Sequence, residues 1–131
     1  MKKTILIVDD DRALTTLFEY YLKPVYKGEV ICLHDGQEAV SYCEKNVPDL
    51  ILMDLHMPGM DGLTAIRKIR EMKINSPILV LSSFSFLNGK ECMDAGATQV
   101  YQKPIQQSRF YELIRQHTPI LQNSVPVDFP N

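Results

Sequence analysis

Five short apolar runs, separated by stretches with a helical repeat, limit what this chain can fold into more than any other feature. They are Thr4–Val8 (TILIV), Glu29–Leu33 (EVICL), Leu50–Met53 (LILM), Ile78–Leu81 (ILVL) and Ala97–Tyr101 (ATQVY). TILIV, LILM and ILVL lack the polar alternation of a half-solvated strand, which suits strands covered on both faces. Between the runs, apolar residues recur at helical spacing. Leu14, Leu17, Phe18, Tyr21 and Leu22 form one stripe, Ala39, Val40 and Cys43 a second, and Leu63, Ile66, Ile69 and Met72 a third. A fourth helix is expected between Leu87 and Ala95, with Gly96 as its C-terminal glycine, and a fifth carries Phe110, Leu113, Ile114 and His117. Asp11 is placed to cap the first helix, Pro24 to end it, and the second should run to about Asn46. Strands alternating with helices predict an α/β fold, a doubly wound parallel five-stranded sheet with helices on both faces and right-handed crossovers. The 131 residues suit one domain over about 1–118. Residues 119–131, with Pro119, Pro126 and Pro130, read as a tail or linker.

In sheets of this kind ligands bind beyond the carboxyl ends of the strands, where the strand order reverses. The first strand here ends in Asp9-Asp10, the third in Asp54, the fourth in Ser82 and the fifth near Lys103, so four strands aim ionisable or hydroxyl groups at one edge. The segment LILMDLHMPGMDG (residues 50–62) delivers Asp54 to that edge and then turns through Pro58 and two glycines into a helix. Three carboxylates brought together repel one another and lose hydration unless a cation neutralises them. All the donors are oxygens and no cysteine or histidine cluster converges, so Mg2+ fits better than Zn2+, while Mn2+ stays open. A metal beside a carboxylate, a hydroxyl and a lysine suits phosphoryl transfer, with Asp54 attacking phosphorus to form an acyl phosphate. Ser82 and Lys103 would each meet a phosphoryl oxygen. By this reading Asp54, Ser82 and Lys103 are the catalytic residues and Asp9, Asp10 and Asp54 the metal-holding carboxylates. Asp11 and Asp61 read as structural, and His34 and His117 as a surface or turn residue and a helix end.

Composition narrows the alternatives. A formal charge of −2 leaves no one-signed field for nucleic acid, and the cluster Arg67, Lys68, Arg70 and Lys73 reads as a solvated helix face. No signal peptide is visible and no apolar stretch is long enough to span a bilayer. The three cysteines, Cys32, Cys43 and Cys92, form no Cys-x-x-Cys pair and read as small core hydrophobes in a reducing, cytoplasmic setting.

The motifs ILIVDDD, MDLHMPGMDG, PILVLSS and QKP, in this order from about Lys3 to His117, resemble those of the CheY-like response-regulator receiver domains of two-component and phosphorelay signalling. The resemblance implies a (βα)5 domain with strand order 2-1-3-4-5 that accepts phosphate from a histidine kinase or a histidine phosphotransfer protein, with Mg2+. It implies that Asp54 is the phosphorylated residue, that Asp10, Asp54 and the backbone carbonyl of His56 ligate the metal, and that Asp9 completes the acidic pair. Ser82 would take the Thr/Ser switch position, Lys103 is the lysine of the pattern, and the Lys103–Pro104 bond is expected to be cis. Such a domain catalyses its own phosphorylation and a slow autodephosphorylation, then signals to a downstream protein, as a monomer or weak homodimer.

Two departures bear on that output. The family's switch aromatic lies three residues before the lysine, where this chain has Val100, and Tyr101 one place later should point to the opposite sheet face. The interval from Ser82 to Lys103 is one residue short, which places a deletion around Phe84–Lys90. Phe84 and Phe86 there are either core anchors or partner contacts. The rival readings are a phosphorylation-independent pseudo-receiver and a small Mg2+-dependent phosphatase, the latter disfavoured by a chain too short to build a substrate cavity.

Overall fold

The computed structural model describes residues 2–83 and 85–117, and only the backbone of residues 85–88. Phe84 and the tail from residue 118 therefore lie outside the described residues, and of Phe86 only the backbone is described. Ten elements alternate: β1 (Thr4–Val8), α1 (Arg12–Leu22), β2 (Glu29–Leu33), α2 (Gly36–Cys43), β3 (Leu50–Met53), α3 (Gly62–Glu71), β4 (Ile78–Ser82), α4 (Ser85–Ala95), β5 (Gln99–Gln102) and α5 (Gln107–His117). The strands form one sheet in the order β2-β1-β3-β4-β5, every neighbouring pair parallel. This is the doubly wound (βα)5 arrangement expected from the sequence.

Strict alternation along the strands divides the interior into two cores. Leu6, Val8, Ile51, Met53, Ile78 and Val80 face α2, α3 and α4, where they meet Val40, Ile66, Ile69 and Cys92. Ile5, Ile7, Leu50, Leu52, Leu79 and Leu81 face α1 and α5, against Phe18, Leu22, Phe110 and Ile114. Phe18 and Phe110 stack at 4.5 Å between centroids and join the two helices on that side. Each such side chain, fully removed from water, contributes about 1.5–3 kcal/mol before conformational entropy is set against it.

Local chemistry places the element ends. The carboxylates of Asp11, Asp35 and Asp61 accept from Leu14 N–H (3.2 Å), Glu38 N–H (2.8 Å) and Thr64 N–H (2.8 Å), capping α1, α2 and α3. The helical stripe that suggested α2 to Asn46 ends in a turn closed by Asn46 N–H on the Tyr42 carbonyl (3.0 Å). β5 starts at Gln99 rather than Ala97, because the Ala97 N–H bonds Cys92 in the turn that ends α4, where Gly96 has φ +121°. α4 begins at Ser85 and runs through Asn88-Gly89.

Two expectations are corrected. Leu17 is 40% exposed, and Thr15 instead joins Phe18 and Leu22 on the buried line of α1. Arg70 is not on a solvated face: half-buried, it donates to the carbonyls of Gly96, Ile74 and Ser76, each at 2.8 Å, and so ties α3 to the start of β4 and the end of α4. Burial lowers its pKa from the usual arginine value. Cys43 and Cys92 are buried as expected, while Cys32 on the edge strand β2 is only half-buried.

Candidate metal and phosphoryl site

β1 lies between β2 and β3, so the strand order reverses beside it and the carboxyl ends of β1 and β3 adjoin. The ladder extends one residue past each strand end: Asp9 N–H donates to the Leu33 carbonyl (3.0 Å) and Asp54 N–H to the Val8 carbonyl (2.9 Å). The backbone of two adjacent strands thereby fixes the Asp9 and Asp54 carboxylates side by side. Both are almost fully buried, at 4% and 6% exposure, while Asp10 is exposed. One carboxylate oxygen from each of Asp9, Asp10 and Asp54 lies within 4.8 Å of the other two.

Lys103 comes to the same point from the far edge of the sheet. Its N–H donates to the Ser82 carbonyl (2.9 Å), extending the β4–β5 ladder, and its peptide bond to Pro104 is cis as expected. The Nζ lies 2.6 Å from Asp9 Oδ2 and 3.3 Å from Asp54 Oδ1. One ammonium thus bridges two buried carboxylates, and all three side chains are under one-fifth exposed. Burial alone would lower the Lys103 pKa. The hydrogen bond to Asp9 and the charges of Asp54 and Asp9 outweigh it and raise the pKa, so the ammonium is retained throughout the neutral range. Burial raises the Asp54 pKa, the Asp9 charge adds to that, and Lys103 only partly opposes both. A single positive charge therefore leaves the three carboxylates short of neutralisation.

Ser82 is fully buried at the end of β4, on the strand next to Asp54. His56 is exposed in the loop two residues after Asp54. That loop is held close to its strand by Gly62, whose N–H donates to the Leu55 carbonyl (3.0 Å). A Cβ on Gly62 would stand 2.0 Å from the Asp54 carbonyl oxygen and 3.0 Å from Leu55 Cα, and neither backbone atom can yield without moving α3 off β3. Gly62→Ala is expected to lower stability by about 1–3 kcal/mol, as overpacking does. It should also shift the Asp54 amide resonance, both readable by urea unfolding and amide spectra.

The divergence of Val100 and Tyr101 is as expected. Val100 packs with the core under α3 and α4, and Tyr101 with the core under α1 and α5. The Tyr101 hydroxyl lies 2.5 Å from His117 Nε2, and the Arg109 guanidinium stands over its ring at 5.2 Å. His117, expected only to finish a helix, is thus tied to β5. His34, expected as a surface or turn residue, directs Nδ1 at the Asp9 carbonyl oxygen (3.0 Å). Its only sequence signal is its place at the end of the strand beside Asp9.

A hollow of about 330 Å³ lined by Leu55, His56, Met57, Asp61 and Leu63 opens beside the Asp54 loop, more room than the chain length suggested. Its described lining carries one carboxylate, Asp61, and no lysine or arginine. Among the described residues no helix is long and apolar enough to cross a membrane.

Residues 5–115 match the family model for the response regulator receiver domain. The chain is 39% identical over 84 residues to the alkaline phosphatase synthesis transcriptional regulatory protein PhoP of Bacillus subtilis, covering 63% of this chain and 34% of that protein. It is 33% identical over 128 residues to the transcriptional regulatory protein TrcR of Mycobacterium tuberculosis, covering 96% of this chain and 48% of TrcR. The chain therefore spans a third to a half of the length of these relatives. The structure superposes on the receiver domain of the sensor histidine kinase PA1611 from Pseudomonas aeruginosa, solved with magnesium coordinated in its active-site cleft. The TM-score is 0.79 at 28% identity, over 89% of this chain and 98% of that one. With its 2-1-3-4-5 sheet and an acidic cluster positioned for divalent-cation and phosphoaspartate chemistry, the chain belongs to the response regulator receiver domain family.

Proposed function

We propose that Asp54 is the phosphoacceptor, taking its phosphoryl group from the phosphohistidine of a histidine kinase or histidine phosphotransfer protein. The observation that carries this reading is the bridge from Lys103 to Asp9 and Asp54 within a cluster of three carboxylates at the strand-order reversal. The donor set is oxygen only and undercompensated in charge, which fits Mg2+, the ion the PA1611 domain holds in its cleft. Asp10, Asp54 and the His56 carbonyl would ligate it and Asp9 would complete the acidic group. Bound there, the ion neutralises the carboxylates and the oxygens of the incoming phosphoryl group.

In the transfer, an Asp54 carboxylate oxygen bonds to phosphorus as the bond from phosphorus to the donor imidazole nitrogen breaks, and that nitrogen keeps the electron pair. Lys103 meets one phosphoryl oxygen and the Ser82 hydroxyl donates to another. Later attack by water on phosphorus releases phosphate and restores the carboxylate.

A receiver domain acts through a protein-binding surface. Ser82, Val100, Tyr101 and the segment carrying Phe84 are assigned to the route from site to surface. Residues 1–118 form the receiver domain and 119–131 a tail or linker, in a cytoplasmic protein that is a monomer or weak homodimer. Incubation with a purified phosphohistidine-bearing donor should add the mass of one phosphoryl group when Mg2+ is present and none after chelation. No gain in either condition, or equal gain in both, would refute the assignment.

A further inference from the structure

The acidic turn after β1 is held by a ring from the neighbouring strand. His34 follows the last residue of β2, and its Nδ1 lies 3.0 Å from the Asp9 carbonyl oxygen. A carbonyl oxygen only accepts, so Nδ1 carries the proton whether the ring is neutral or charged. The backbone N–H of His34 donates to Glu38 Oε1 (2.8 Å), and the next residue, Asp35, caps α2, so the ring stands on an anchored base.

The Asp9–Asp10 peptide lies past Val8, the last β1 residue with strand partners. Around it, Asp9 N–H donates to Leu33 (3.0 Å), Asp11 N–H donates to Asp9 Oδ1 (2.9 Å), and Lys103 takes Asp9 Oδ2. These three bonds hold the amide and side chain of Asp9. His34 holds its carbonyl. Because the peptide unit is planar, fixing that oxygen fixes the plane that carries the Asp10 nitrogen and Cα; the Asp11 N–H bond to Asp9 Oδ1 restrains the peptide that follows, and the two planes together set the direction in which the Asp10 side chain leaves. Asp10 is exposed, and two carboxylates within 4.8 Å repel its own.

We infer that His34 is a positioning residue for divalent-cation binding, its Nδ1–H bond to the Asp9 carbonyl aiming the Asp10 carboxylate at the ion. The inference rests on the reading of Asp9, Asp10 and Asp54 as the metal-holding group, and adds a residue that touches none of their carboxylates. Groups that orient metal ligands commonly change affinity by 10- to 100-fold when removed.

The test is a Mg2+ titration of the metal-free protein followed by amide resonances, which reads binding without phosphorylation. His34→Phe, which keeps a ring but loses the donor, should bind Mg2+ about tenfold more weakly or worse than wild type. His34→Asn, whose side-chain amide can donate from a similar place, should recover most of that loss. In wild type, imidazole nitrogen spectra at a pH where the ring is neutral should show the proton on Nδ1, a signature independent of how any variant folds. Wild-type affinity in His34→Phe, no recovery in His34→Asn, or a neutral ring protonated on Nε2 would each overturn the inference. Asp10→Asn serves as the control on the reading beneath it. If that variant binds Mg2+ like wild type, the metal-holding assignment itself falls, and the role of His34 with it.

Discussion

Asp54→Asn is expected to accept no phosphoryl group at all, and yet to be more stable than wild type at neutral pH when metal is absent. The loss follows because a carboxamide cannot replace the attacking carboxylate oxygen. The gain follows from the electrostatics. Burial raises the Asp54 pKa, and the Asp9 charge adds to the rise. A carboxylate whose value is higher in the folded state than in the unfolded one favours folding fully only below its unfolded value, and that contribution is lost as pH rises through the folded value. At neutral pH wild type therefore holds a destabilising charge that the asparagine lacks. Urea unfolding across pH should show the variant ahead at pH 7 and the difference closing on acidification through the carboxylate range. Added Mg2+ should stabilise wild type far more than the variant, reversing part of the difference. A variant no more stable than wild type at pH 7 would show that Asp54 is adequately compensated by Lys103 alone.

Lys103→Ala is expected to act in the opposite sense. Its ammonium serves both Asp9 and Asp54, whose side chains are 6% and 7% exposed. Removing one partner of a buried ion pair costs about 3–5 kcal/mol, because the remaining charge stays out of water without compensation. Here two carboxylates are left. The loss should be largest at neutral pH and should shrink in acid, where Asp54, whose pKa burial raises, takes up a proton and one charge fewer is left unpaired. Mg2+ should return part of it, by supplying the charge that was removed. Lys103→Arg should not substitute well, since the larger planar guanidinium does not fit the space that a compact ammonium fills 2.6 Å from Asp9 and 3.3 Å from Asp54. Equal destabilisation at neutral and acid pH would mean that Lys103 contributes packing rather than charge.

Much of this fold was legible because it rests on local patterns. The unbroken apolar runs of β1, β3 and β4 report strands covered on both faces, and the helical stripes of α3 and α5 report which side of each helix is covered. The rule that places ligands at strand ends then collects Asp9, Asp10, Asp54, Ser82 and Lys103 at one edge. The helix caps were legible to different degrees. Asp11 was expected to cap and Asp61 only to be structural, although both, like Asp35 at the start of α2, act through the same short-range bond to an N–H three residues on.

What was not legible depends on distant neighbours. Arg70 follows a basic stretch that looks solvated, and only the tertiary fold sets the carbonyls of Gly96 and Ser76 around its guanidinium. Leu17 satisfies the helical stripe, yet α1 packs along the line of Thr15, Phe18 and Leu22 and leaves it 40% exposed. The parity of Val100 and Tyr101 followed from strand geometry, but the hydrogen bond of Tyr101 to His117 needed the position of α5. His34 carries no signal beyond its place at the end of its strand, since its partner is the backbone of a residue 25 positions away.

The most direct measurement is to locate the phosphoryl group itself. Protein phosphorylated by a phosphohistidine donor in the presence of Mg2+ is treated with borohydride, which reduces an acyl phosphate to the corresponding alcohol, and its peptides are then mapped by mass spectrometry. Reduction at Asp54 alone is predicted. Reduction at Asp9 or Asp10, or a phosphoryl group that resists borohydride and maps to a serine or histidine, would contradict it.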